Sequence, residues 1–268
     1  MMLRSANKTK SKESKSQTLE KAIRILDAFS LENPSWGIRE LGRSLDMNPT
    51  TIYRIVATLN SAGFLEKDPE TQRYTLGPKF IRLAETYSRL NPLTSVAQKI
   101  FEKYADQFEY NFYLGKLNNF EVVYLSVLDG RGPIKIVVEP GGSTTLHSTA
   151  LGKVLLAFQD ESFINAFLLN VPLIAFTPRT ITDPAKLRSH LQQIRTQQYA
   201  INDGEHYEAI GAVGVPVISR SGKVNLGISL AYPRHLILDE NYSIDSLIKL
   251  AKEITNEFSL HVDSISTS

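Results

Sequence analysis

Asn48 to Ala62 constrains this chain more than any other stretch. It reads Asn-Pro-Thr-Thr-Ile-Tyr-Arg-Ile-Val-Ala-Thr-Leu-Asn-Ser-Ala. Asn48 is a strong N-cap, Pro49 suits the first helical position where its missing N–H costs nothing, and Gly63 can turn left-handed just past the end. Ile52, Ile55, Val56 and Leu59 recur at i, i+3, i+4 and i+7, so they form one buried stripe. The outward face opens with Thr50, Thr51, Tyr53 and Arg54, all hydrogen-bond donors, and the stretch holds no carboxylate. The first two turns are where a helix entering the DNA major groove meets base edges and phosphates. An ordinary amphipathic helix with a solvated face is the plain alternative, so the neighbouring segments decide.

Leu19, Ala22, Ile23, Leu26 and Phe29 make a first helix of residues 17–29, which Asn33-Pro34-Ser35 ends. Ile38, Leu41 and Leu45 mark a second, Gly37 to Leu45. Only Asp46-Met47 separates it from Asn48, which is the spacing of a helix-turn-helix with the opening stretch as recognition helix. Two short strands follow, Phe64 to Lys67 and Arg73 to Leu76, joined by the turn-forming Asp68-Pro69-Glu70-Thr71-Gln72. This hairpin is a wing, and Lys67 and Arg73 stand on it as candidate phosphate contacts. The DNA-facing set is therefore Asn48, Thr50, Thr51, Tyr53, Arg54, Lys67 and Arg73.

Net charge is only +2, but its distribution is uneven. Through Gly77 there are 12 Lys+Arg against 9 Asp+Glu, and from Pro78 onward 18 against 19, so the positive excess lies beside the opening helix. Residues 1–15 hold Arg4, Lys8, Lys10, Lys12 and Lys15 in a Ser-rich run that cannot build a core, which predicts a disordered basic arm. The absence of cysteine excludes a disulfide framework and a thiolate metal site and suits the cytoplasm. No apolar run is long enough to span a bilayer, so no membrane partner is expected.

Pro78 opens a further helical pattern ended by Asn91-Pro92, a linker helix of residues 78–91 whose apolar stripe needs a partner such as the same helix of a second subunit. The winged helix-turn-helix domain is then residues 16–77, and residues 92–262 form a second domain. In it, helical spacing covers Leu93 to Phe108, a helix from about Ser148, and helices around Ser162 to Leu169 and Asp183 to Gln197, with a last one carrying Ile244 to Phe258. Strands are expected at Asn111 to Lys116, Phe120 to Leu128, Ile134 to Glu139, Val213 to Ser219 and Val224 to Ala231. Short hairpin connections imply an antiparallel sheet with packed helices, an α+β class.

Catalytic motifs are scarce. Gly152-Lys153 matches only the end of a phosphate-binding loop, with His147 at the position of the expected glycine and Val154 at that of the metal-binding hydroxyl. The five histidines are scattered, and Asp203, Glu205 and His206 read as a solvated loop before a metal site. A hydrolase assembled from Ser148, His147 and Asp203 would need a spatial coincidence that sequence cannot supply. No cofactor and no enzymatic activity are expected. Ser143 to Lys153, by contrast, gathers small and hydroxyl-bearing residues at an expected helix N-terminus, where free N–H groups favour an anion such as a carboxylate.

That segment and the winged helix resemble the IclR family of bacterial transcriptional regulators. Leu146, His147, Thr149, Ala150, Gly152 and Lys153 meet the family's Leu-His-x-Thr-Ala-x-Gly-Lys pattern, and Ile194-Arg195, Tyr199-Ala200, Asp203 to Glu205 and Pro216-Val217 its second signature. The resemblance implies a linker helix used in dimerisation and a GAF-like C-terminal domain that binds a small effector. The implied effector site takes His147, Ser148, Thr149, Ala150, Gly152, Asn202, Asp203, Ala212 and Ser229. It departs from the family at Gln198, Asn202, Gly204, Ala209, Ala212 and Ala231, which makes the pocket less polar. The expected function is a sequence-specific regulator binding a double-stranded DNA operator as a homodimer or homotetramer, with affinity set by a small carboxylate. The alternative is a metabolite-binding protein or enzyme that uses its winged helix only to oligomerise.

Overall fold

The computed structural model describes residues 16–105, 108–132, 138–238 and 243–265. The chain divides into two compact units, one ending at Leu90 and the other beginning at Asn91. Residues 1–15, expected as a basic arm, lie outside the described residues, as does most of the strand expected at 134–139.

The first unit is built from α1 (Gln17–Asp27), α2 (Ile38–Leu45), α3 (Pro49–Ser61), β1 (Leu65–Lys67), β2 (Tyr74–Leu76) and α4 (Lys79–Leu90). Local chemistry sets its boundaries. Asn48 caps α3 by accepting from the Thr50 N–H at 2.8 Å, and Gly63 at φ +77° ends it. Asp46, left-handed at φ 51°, makes the turn from α2 into α3. Ile25, Leu41, Ile52, Val56 and Leu65 are fully buried together. Tyr74 joins them and bridges Trp36, whose indole donates to the Ala28 carbonyl at 2.8 Å. Helix α4 buries none of its residues, and Ile81 and Leu90 are about three-quarters exposed, at 73% and 76%.

The second unit centres on a six-stranded antiparallel sheet. In chain order its elements are α5 (Leu93–Ala105), β3 (Asn111–Asn118), β4 (Glu121–Leu128), β5 (Ser143–Thr145), α6 (Ala150–Ala157), α7 (Glu161–Asn170), α8 (Pro184–Gln197), β6 (Ala200–Asp203), β7 (Ile210–Val217), β8 (Leu226–Pro233) and α9 (Ile244–Ile265). The strand order is β5-β4-β3-β8-β7-β6, which places the last two hairpin strands in the middle beside β3. Strand alternation sorts the core into two layers. Phe112, Leu114, Val213, Val215, Ile228 and Leu230 face α5 and α9, while Tyr113, Ala200, Ala212 and Ala231 face α6 and α8. The expected α+β class is what is found. Two strands were not expected: β5, only three residues long, and β6, which leads into the loop that carries Glu205 and His206.

Candidate functional site

Two sites follow from the two units. On the first, α3 leaves Asn48, Thr50, Tyr53 and Arg54 exposed while Ile52, Ile55 and Val56 go inside, and Thr51 is half-buried. The polar face anticipated from spacing is thus on the surface and still lacks an acidic group. Lys67 is exposed on the wing, its ammonium 5.8 Å from the centre of the Tyr74 ring.

Arg73 is a different case. Its guanidinium donates to Glu40 at 2.8 and 3.0 Å, to the Ser35 hydroxyl at 2.9 Å and to the Ser35 carbonyl at 2.8 Å. It staples the wing to the start of α2 and has little capacity left for a phosphate, which corrects its expected role. The Arg73 hydrogen bond, followed by the Gly37 N–H, holds the Glu40 carboxyl below its usual range. Arg39 and Arg43 were overlooked: they lie one turn apart, exposed, on α2, the helix that crosses the backbone in helix-turn-helix proteins. Their i,i+4 spacing was the available signal.

On the second unit, the loop before α6 is buried and held from several sides. The His147 ring nitrogen Nε2 lies 3.0 Å from the Ile174 carbonyl, so it carries the proton and leaves Nδ1 as an acceptor with no partner among the described residues. Ser148 Oγ hydrogen-bonds His206 Nδ1 at 2.8 Å and also meets the Thr145 hydroxyl. Its carbonyl accepts from Asn202 Nδ2 at 3.1 Å. Thr149 is the N-cap, accepting from the Gly152 N–H at 3.0 Å and donating to the Thr145 carbonyl at 3.0 Å. The capping leaves the amides of Ala150 and Leu151, which no intrahelical carbonyl can reach, at the amino end of α6.

Gly152 packs against the chain that leads into its own helix. A Cβ there would sit 2.2 Å from the Thr145 carbonyl oxygen, so glycine is needed to let β5 cross the helix. Asp203 falls outside the expected cluster. Alternation turns it to the sheet face of its partner Gly211, and its half-exposed carboxylate pairs with Arg179 at 2.8 Å and with Arg234. The buried acid is Glu205. It meets the fully buried Lys153, whose ammonium also donates to the Ile201 carbonyl at 2.8 Å and lies 3.4 Å from His190 Nε2. Burial pushes the Glu205 carboxyl up and the Lys153 ammonium down, against their mutual attraction. Burial and the Lys153 charge push His190 down to about 4. The anticipated solvated loop is therefore a packed one, and sequence missed it because Lys153 and Glu205 lie 52 residues apart. Among the described residues no group of three or more acidic or imidazole side chains is arranged to hold a metal.

The wall opposite α6 is the sheet. Gly214 lies directly beneath the helix start, since a Cβ there would be 2.7 Å from the Ala150 carbonyl oxygen and 3.0 Å from the Leu151 nitrogen. Gly214 pairs with Ser229, and Ser229 with Tyr113; the next row on the same face is Ala212 paired with Ala231. Ala150, Ala212 and Ser229 thus come together, with Asn202 beside them. Where Ala212 and Ala231 pair, the floor is made of methyl groups, and the hydroxyls of Ser229 and Tyr113 belong to the next row.

Residues 18–69 match the IclR helix-turn-helix domain, and residues 85–260 match the bacterial transcriptional regulator IclR C-terminal domain. The chain is 30% identical to the HTH-type transcriptional regulator BhcR of Paracoccus denitrificans over 89% of its own length and 86% of that protein's. It is similar to the crystal structure of an IclR transcriptional regulator from Alicyclobacillus acidocaldarius, with a TM-score of 0.79, 27% identity and coverage of 94% of this chain and 100% of that one. An IclR homologue from Microbacterium hydrocarbonoxydans, solved as a complex with 4-hydroxybenzoate, has the same fold at a TM-score of 0.80, with 22% identity over 94% of this chain and 100% of the other. With both of its domains matched over most of its length, the chain belongs to the IclR family of bacterial transcriptional regulators.

Proposed function

We propose that this regulator binds a palindromic operator as a dimer and changes its affinity when a small carboxylate occupies the amino end of α6. The exposed, carboxylate-free face of α3 carries the reading. Thr50, Tyr53 and Arg54 offer donors to base edges and phosphates, and nothing on that face repels the backbone. Lys67, Arg39 and Arg43 contribute charge around it. The exposed apolar residues of α4, Ile81, Leu83 and Leu90, give a second subunit a surface to pair with.

The effector half of the proposal rests on the free amides of Ala150 and Leu151 above a small-residue floor. A carboxylate bound to a structural relative supports that ligand class. Fluorescence anisotropy against DNA selected from random sequence tests the reading. Retention of a two-fold symmetric site, weakening steeply with salt, is the expected result, and equal affinity for selected and random DNA would refute it.

A further inference from the structure

The sheet wall facing α6 carries a buried polar group that bonds to nothing among the described residues. Tyr113 is 4% exposed, and its hydroxyl has no hydrogen-bond partner among the described residues. It lies in the same core layer as Leu146, Ala150, Ala212 and Ala231, on the face that looks toward α6. Its ring rests 5.4 Å from that of Tyr124, and both phenols are held neutral: burial pushes Tyr124 up to about 12 and raises Tyr113 further, with Tyr124 adding to the effect. A neutral phenol can both donate and accept. A buried polar group without a partner carries a desolvation cost that native proteins usually avoid, so a hydroxyl in this state points to a partner that arrives with a ligand.

The span between the two ends limits the ligand. Gly214, beneath the helix start, and Tyr113 are two strands apart in one row, roughly 10 Å across the sheet. A ligand that reaches from one end to the other is bounded by that span, about the size of one ring with its substituents. We propose that the effector is a hydroxy-carboxylate of this size, its carboxylate at the Ala150 and Leu151 amides and its distal hydroxyl read by Tyr113. The proposal rests on the carboxylate reading of the α6 site and adds the second contact that selects among carboxylates. Tyr113 is a specificity-determining residue in this account.

Calorimetric titration of the full-length chain with benzoate, 3-hydroxybenzoate and 4-hydroxybenzoate as probes tests it, for wild type and Tyr113→Phe. In the wild type at least one hydroxylated probe should bind roughly tenfold to a hundredfold more tightly than benzoate, because only it satisfies the phenol. Tyr113→Phe should erase that preference while keeping benzoate binding. Its melting temperature without ligand should not fall, since the lost hydroxyl had no partner. A preference that survives Tyr113→Phe, a wild type that binds all three equally, or a variant that melts several degrees lower would each overturn the role of Tyr113 while leaving the carboxylate site standing. No binding of any probe, by a protein that still retains its operator, would overturn the carboxylate reading and this proposal with it.

Discussion

Lys153→Met isolates the energetics of the buried network. Methionine approximates the lysine stem, so the cavity contribution is small and the change is mainly the loss of an ammonium. Lys153 is wholly buried and the Glu205 side chain is 10% exposed, so water cannot replace the missing donor. One Glu205 oxygen already lacks a partner among the described residues, and the Ile201 carbonyl would lose its 2.8 Å contact as well. Removing one member of a buried pair costs about 3–5 kcal/mol. For a unit of this size that lowers the melting temperature by about 6–20 °C. The pH dependence follows from the carboxylate left behind. Its folded-state pKa, raised already by burial, rises further above the ordinary 4.5. The Glu205 contribution to the variant's stability is therefore fully present below pH 4.5 and is lost as pH rises through the raised value. The deficit relative to wild type should be small in acid and largest near neutrality. Circular dichroism reports the melt. The single tryptophan, Trp36, lies in the other unit and its fluorescence serves as an internal control. Lys153→Met/Glu205→Leu should recover most of the loss. A Lys153→Met protein as stable as wild type at pH 7 would show that the pair is not dry and would refute the reasoning.

Arg54→Ala should cost about 1–3 kcal/mol of operator binding with folding intact; equal loss on random DNA would reassign the side chain to a phosphate, and no loss on either would remove it from the interface. Arg73→Ala should instead lower the melting temperature of the winged helix by roughly 4–8 °C, followed by Trp36 fluorescence, and leave affinity below the melt unchanged. An unaltered melt with a salt slope reduced by about one would restore Arg73 as a phosphate contact. Ala150→Trp should abolish any carboxylate effect on operator binding without weakening that binding itself; an anisotropy titration in which the carboxylate still acts would move the ligand away from α6.

Where local rules decide, the sequence was informative. Asn48, Pro49 and Gly63 bounded α3 because caps act on their own helix, and the stripe of Ile52, Ile55 and Val56 pointed inward because a helix has one period. Long-range pairings were the blind spot. Arg73 looked like a free wing cation, since nothing near it in sequence reveals Glu40 and Ser35 waiting in the fold. Glu205 and Lys153 were hidden for the same reason. Gly152 and Asp203 drew attention by small size and charge, and the fold gives both a structural task that sequence did not reveal, the crossing of β5 at one and a pair of arginines at the other. Tyr113 carried no signal at all: a tyrosine in an apolar strand reads as core until its hydroxyl is found without a partner.

Strand β6 is only four residues long, yet neighbouring residues at its end grip opposite sides of the sheet. Asn202 holds the Ser148 carbonyl and the Glu205 N–H on one side, and Asp203 holds Arg179 and Arg234 on the other. One peptide unit joins the two grips, and a planar peptide cannot turn at one end alone. Any shift of the Ser148 loop that drags Asn202 must therefore tug on the two arginines at the rim, so the sheet works there as a thin membrane on a drum, struck on one side and felt on the other.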